Sequence, residues 1–188
     1  MTAVSIVISI LFILCLTSSV VSRSVGLVKA DDKPAQKVWI PVMFGLSQGV
    51  MALLGFTLSR LMAHLFTYIA EYMVFAMMLV VAVKLFVDSI RILKGKMMYT
   101  LSSDKDILLL TILAAFNTFL YGLVSVFFAP LGLWFFPAVV VAGFLWAFFT
   151  VRVDFTPGII KKVSFVEFAA AVFMVIIAIL YLFTDLMI

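Results

Sequence analysis

Six stretches of this chain are long and apolar enough to cross a lipid bilayer, and almost nothing between them is large enough to fold alone. They fall at 3–28, 38–60, 67–92, 106–129, 131–150 and 163–187. Hydrocarbon offers a backbone amide no partner, so about 20 apolar residues placed in it form a helix that satisfies its own N–H and C=O groups. Charged residues make up 12% of the chain, roughly half the share in a soluble domain. The expected fold is an all-α integral membrane protein, and its function must lie between the helices.

The first stretch has no basic leader before its apolar run and no small-x-small pattern after it. We read it as a retained helix rather than a secretory signal. Basic residues then fix an orientation. Arg23, Lys29, Lys33 and Lys37 follow the first stretch, Arg91, Lys94, Lys96 and Lys105 lie between the third and fourth, and Arg152, Lys161 and Lys162 lie between the fifth and sixth. The opposite side holds only Arg60. By the positive-inside bias both termini face away from the cytoplasm. The net charge of +4 then reports topology, since no loop has the basic density that nucleic acid demands.

Several chemistries are poorly supported. Cys15 is the one cysteine and sits in an apolar run, which leaves no disulfide framework and no thiolate cluster. His64 is the one histidine and reads as an interfacial side chain near the non-cytoplasmic end of the second stretch. There is no phosphate loop, no Ser-His-Asp set and no zinc spacing. The chain reads as neither an enzyme nor a holder of a resident cofactor, and any metal is unknown.

The third and sixth stretches resemble each other. Each opens on an acid and an aromatic, Glu71-Tyr72 and Glu167-Phe168, and each ends on an aspartate, Asp88 and Asp185. Met78 and Met174, and likewise Ala82 and Ala178, stand at equal distances from the opening acid. Three spans per half is odd, so a duplication turns the second half upside down. Inverted repeats of this kind are a common plan of secondary transporters, with the site near mid-membrane. The expected organisation is a first three-helix repeat over 1–92, a charged cytoplasmic linker over 93–105 and a second repeat over 106–188.

A polar side chain in hydrocarbon is costly without a partner, which makes each one a candidate. Thr17-Ser18-Ser19 and Ser22-Arg23-Ser24, followed by Gly26, interrupt the first stretch. The second holds Gly45, Ser47, Gln48, Gly49 and Gly55, and the fourth holds Asn117, Thr118, Tyr121 and Gly122. Ser19, Ser47, Gln48, Asn117 and Thr118 are the candidate binding residues. The competing reading is helix glue, in which such side chains join neighbouring helices and bind nothing. Lys84 has Asp88 one turn later on the same face. It is either a charge held inside the bundle or a lysine that snorkels to the interface with Asp88 neutralising it. Arg23 carries the same two readings. The eleven methionines are read as packing rather than a path for a soft cation.

At these residues the chain resembles the MntP-type manganese efflux pumps of the LysE transporter superfamily. Phe44-Gly45-Leu46-Ser47-Gln48 through Leu54-Gly55-Phe56 is similar to the family's second-helix signature. Lys84 through Asp88 to Arg91 is similar to its third-helix ending. Ser19 through Ser24-Val25-Gly26 and Asn117 through Gly122 match the spacing of its two aspartate motifs. The resemblance implies six helices in a three-plus-three inverted repeat, in the inner membrane of a bacterium. It also places the family's acids on Ser19, Gln48 and Asn117, all neutral here. Manganese favours oxygen ligands that include carboxylates, so the resemblance implies a small secondary transporter with a neutralised ion site and an altered substrate. Neutral oxygens at these positions suit a monovalent cation or a small polar solute. The alternative is a transport-inactive scaffold or partner subunit of a membrane complex. The expected partners are the bilayer, that cation or solute, and a second copy or another membrane protein, with no nucleic acid.

Overall fold

Apolar sequence of this kind favours one continuous first helix, yet the first span is broken. The computed structural model describes residues 3–25, 27, 34–95, 104–127, 132–153 and 156–183. It places α1 at Ala3–Thr17 and α2 at Ser19–Ser24. The hydroxyls around the break compete for the helix's own carbonyls: Thr17 Oγ1 donates to Ile13 O at 2.8 Å and Ser18 Oγ to Cys15 O at 2.8 Å. The Ser18 amide then reaches Cys15 O at 3.3 Å, and the Val21 amide reaches Ser18 O at 2.8 Å, one residue nearer than in an α-helix. This is a single tightened turn. Trp146 Nε1 covers a further carbonyl there, Leu14 O, at 3.3 Å.

The remaining spans are α3 (Pro34–Phe66), α4 (Ala70–Leu93), α5 (Asp104–Gly122), α6 (Phe135–Thr150) and α7 (Pro157–Phe183). With α1 and α2 as the first, six spans are long and apolar enough to cross a membrane. The described residues are otherwise turns and short 3₁₀ segments. Pro34 opens α3, where its missing N–H has no role, while Pro41 removes one bond from the ladder inside it. Several boundaries differ from those expected of the sequence. The first span ends at Ser24 rather than 28, because its polar run turns inward. α5 stops at Gly122 rather than 129, and successive turns carry the chain to Phe127. α7 starts at Pro157, a residue suited to a first turn. Gly26, Lys29, Lys33, Lys96, Phe128 and Asp185, and most of the linker, lie outside the described residues, as does the Lys37 side chain.

The distribution of side chains is reversed relative to a soluble protein. Leu46, Leu53, Leu54, Leu58, Leu61 and many like them face outward, while Ser19, Arg23, Gln48, Asp88, Asn117 and Glu167 are buried. Lipid is as apolar as leucine, so burial of leucine gives little to hold helices together there.

Two kinds of contact do so instead. α3 packs against α5 and α6 through glycines. A Cβ on Gly122 would lie 2.6 Å from Ala52 O and 2.9 Å from Gly55 Cα, and one on Gly143 would lie 2.6 Å from Gln48 Cγ and 3.4 Å from Gly45 Cα. Only glycine permits these approaches. On the other side α4 packs along α7. Contacts at Ser89–Ser164 and Phe86–Phe168 show that the two run antiparallel. The first span sits between these groups and touches α5, α6 and α7.

The core is divided along the membrane axis. One apolar cluster gathers Phe12, Leu16, Ala52, Val74, Met78, Tyr121, Phe135 and Met174. Two others gather Val20, Phe44, Ala114 and Ala147, and Val21, Ile92 and Val163. On every span the chain passes from the first cluster to one of the others, and the buried residues in between are mostly polar or glycine.

Candidate functional site

The polar residues and the glycine at these crossings, or within about a turn of them, define one level. On the first span they are Ser18, Ser19 and Ser22, and on α3 Gln48. On α4 and α7 they are Lys84, Asp88 and Glu167; on α5, Asn117 and Thr118; on α6, Gly143. Lys84 lies nine residues from the end of α4, about 14 Å along the axis, and Glu167 lies ten residues into α7, about 15 Å. Both values fall near the middle of a hydrocarbon core about 30 Å thick.

One turn of α5 is the meeting point. Ser19 Oγ donates to Ala114 O at 2.6 Å, Lys84 Nζ to Asn117 Oδ1 at 2.7 Å, and Thr118 Oγ1 lies 3.0 Å from Gln48 Oε1. Helices α2, α3 and α4 thus reach the same stretch of α5, from Ala114 to Thr118. The charges join this turn to the other half. Arg23 donates through Nη1 to Ser19 O at 3.0 Å and through Nη2 to Asp88 Oδ2 at 3.0 Å. Lys84 Nζ stands 3.6 Å from the same Asp88 oxygen. Two cations therefore share one carboxylate oxygen. Around them, Ser24 bonds Thr150, and Ser89 and Ser164 exchange bonds of 2.9 and 3.0 Å between α4 and α7.

Of the candidates named from the sequence, Ser19, Arg23, Asp88, Lys84 and Asn117 are joined in one network, and Gln48 and Thr118 form a separate pair beside it at α5. Ser47 joins neither. Half-buried, its one hydroxyl proton has two acceptors in reach, Phe44 O at 2.9 Å and Thr111 O at 3.2 Å, the second of which joins α3 to α5. The snorkelling readings of Arg23 and Lys84 do not hold. Arg23 is 4% exposed and paired inside the bundle, and Lys84 turns to Asn117 rather than to the interface. Both side chains find acceptors at their own depth, which a helix alone in lipid would not supply. His64 is exposed near the end of α3, and Cys15 is buried and free.

Glu167 is the functional candidate that the sequence did not single out, having served there only as a mark of repetition. It is fully buried, and its Oε1 accepts from Ser22 Oγ at 2.6 Å. Among the described residues no cation lies within ion-pair distance of it. An acid ten residues inside an apolar helix was the available signal.

Several buried atoms of this level have no partner: Arg23 Nε, Gln48 Nε2, Asn117 Nδ2 and Glu167 Oε2. Native interiors leave few such groups, and each calls for a reason. The amide of Asn117 has a fixed orientation, since Lys84 only donates and must face the oxygen. Gln48 is adaptable. Thr118 has one proton and a second acceptor in reach, Ala115 O at 2.6 Å. When Thr118 gives its proton to Ala115, a half-turn of the Gln48 amide lets nitrogen donate to Thr118.

The level is poor in metal ligands: no three His, Cys, Asp or Glu residues stand together among the described residues. Asn117 Oδ1 is engaged by Lys84 and Asp88 Oδ2 by two cations, while Glu167 Oε2 is left without a partner. Two hollows on the molecule lie elsewhere. One is lined by Phe56, Arg60, Ser125 and Phe136, and the other is an apolar groove between α4 and α7 at Leu79, Phe86, Phe168 and Val175. The chain matches no family model, no curated protein and no solved structure.

Proposed function

We propose that this protein is a small secondary transporter of a bacterial inner membrane, resembling manganese and cation efflux pumps in plan, with a neutralised ion site and an altered substrate. The observation that carries the reading is the shared polar level. Every span crosses it, four ionisable side chains are held in it, and four buried atoms there lack partners. Packing alone gives no reason to keep ionisable groups with unused valences in lipid. The break at Ser18 adds to this, because loosened helices at mid-membrane are where transporters of inverted-repeat plan hold their substrates. The antiparallel packing of α4 and α7, with Met78, Ala82, Met174 and Ala178 buried in one cluster, suits such a duplication. The basic segments set both termini on the non-cytoplasmic side.

Asn117 ties α5 to Lys84 and is the residue to test. Purified protein in proteoliposomes is stepped through gradients of sodium, potassium, manganese(II), lactate and glycine, with charge movement recorded on a solid support. Wild type moves at least one of these, and Asn117→Leu moves none while melting as a folded protein. Undiminished flux through that variant removes Asn117 from the site. One observation favours the second reading, a scaffold: the polar groups meet mostly in direct hydrogen bonds. A scaffold moves none of the solutes in the wild type either.

A further inference from the structure

We infer that Glu167 is a proton-binding site at mid-membrane, switched through Ser22, and that the proton it exchanges is the ion coupled to transport. The coupling rests on the transporter reading; the proton binding does not. The two acids of the polar level are held differently. Arg23 and Lys84 both reach Asp88 Oδ2, at 3.0 and 3.6 Å, so Asp88 is their shared countercharge. Glu167 is fully buried, has no cation within ion-pair distance among the described residues, and leaves Oε2 without a partner. A carboxylate has about four lone-pair sites, and a single donor leaves most of them empty. A buried charge so poorly met is costly, and taking up a proton removes the charge.

Ser22 can serve either form. Its Oγ lies 2.6 Å from Glu167 Oε1 and 3.1 Å from Ser19 O, with one proton for two acceptors. When Glu167 is ionised, that proton goes to Oε1. When Oε1 is protonated, the acid donates to Ser22 Oγ, and Ser22 turns its own proton to Ser19 O. Only hydrogens move between the two arrangements. In the second, Oε2 is the carbonyl oxygen of a neutral acid, whose missing partner costs less than a charged one's. Ser19 O stands beside the break between α1 and α2 and also accepts from Arg23 Nη1 at 3.0 Å. The protonation of Glu167 is therefore felt at the loosened part of the first span.

The surrounding charges leave both forms within reach. Arg23 of α2 and Lys84 and Asp88 of α4 act on Glu167, α1 carries no acid or base apart from Cys15, and Lys161 and Lys162 of α7 itself are exposed. Arg23, Lys84 and Asp88 together bear one net positive charge, which favours the carboxylate, while burial favours the acid. No contact ion pair locks either. The proton comes from water in whichever state of the protein opens the level, and it returns to water. One O–H bond forms and breaks at Oε1, and no other bond changes.

Infrared difference spectra of the purified protein in lipid, taken between acid and alkaline buffers, test the binding. On acidification the wild type gains a carboxylic-acid C=O band that shifts in heavy water. Glu167→Gln, which keeps an acceptor for Ser22 at the same size, lacks that band. Ser22→Ala keeps it at a displaced frequency, because the acid has lost its partner. Glu71→Gln, at the exposed start of α4, leaves it unchanged. The site is overturned by spectra of Glu167→Gln that match the wild type, by a Glu167 band present at every pH, or by a frequency indifferent to Ser22→Ala. For the coupling, a pH gradient across proteoliposomes drives the wild type's movement of the solutes named above, and Glu167→Gln no longer responds to the gradient. A response equal to the wild type's removes the coupling. A titrating Glu167 band with no solute moved sinks the transporter reading alone, and solute movement without that band sinks the proton site alone.

Discussion

The two sides of the bundle solve one problem by opposite means. Where α3 meets α5 and α6, helices are joined by removing side chains: Gly45, Gly55, Gly122 and Gly143 bring backbones into contact. Where the first span, α4 and α7 meet one another, they are joined by side chains that carry charge or hydroxyls: Arg23 with Asp88, Ser22 with Glu167, and Ser89 of α4 with Ser164 of α7. The glycine seam carries Ser47 and the Gln48–Thr118 pair but no charged side chain, and its close approaches at Gly55 and Gly122 are between backbones. The charged seam holds while leaving Arg23 Nε and Glu167 Oε2 unpaired. Holding alone would not require that arrangement, since apolar side chains of similar volume often serve a buried ion pair's place as well or better.

Variants separate the two seams. Asp88→Asn has the largest expected effect, because it strands Arg23 and Lys84 in a buried site and costs about 3–5 kcal/mol. Thermal or denaturant unfolding in detergent measures it. Adding Arg23→Met and Lys84→Met to that variant restores most of the loss, whereas a charged seam that is merely structural glue would be weakened further by each removal. Gly122→Val comes next, at about 1–3 kcal/mol from overpacking against Ala52 and Gly55. No second substitution on the charged side recovers it, and recovery there would mean that the seams are not distinct. Ser89→Ala is the smallest, about 0.6 kcal/mol in the same unfolding assay, typical for an interhelical hydrogen bond in lipid. A much larger loss would place the Ser89–Ser164 exchange at the centre of the α4–α7 contact rather than at its margin.

The class of fold was legible because hydropathy over about 20 residues needs no partner to be read. The polar candidates were legible for a related reason: Gln48, Asn117 and Lys84 are costly to bury wherever they point. Their direction was not legible. These helices are apolar on all sides, so the pattern that separates inward from outward faces in a soluble helix is missing. Arg23 and Lys84 therefore read equally well as snorkelling ends and as buried charges, and only contact with Asp88 and Asn117 decides between them. Ser47 and Gln48 are neighbours in sequence with the same promise, yet one helical step of about 100° gives one the Thr111 carbonyl and the other the Thr118 hydroxyl. Gly143 offered no signal, since its role is to leave room for Gln48, and a missing side chain has meaning only beside its neighbour. The inverted orientation of the two halves stays a reading of the sequence that the α4–α7 register suits.

The transporter reading requires the level around Ser19 to open to water on one side of the membrane or the other. A Cys15→Ser, Ser19→Cys variant tests it most directly, since it moves the chain's one thiol to the buried Ser19 position. A charged, membrane-impermeant thiol reagent is added to the outside or the lumen of proteoliposomes, and labelling is compared with that of unfolded protein. The account predicts labelling from at least one side at native temperature. Protein that labels fully when unfolded and from neither side when folded would contradict it.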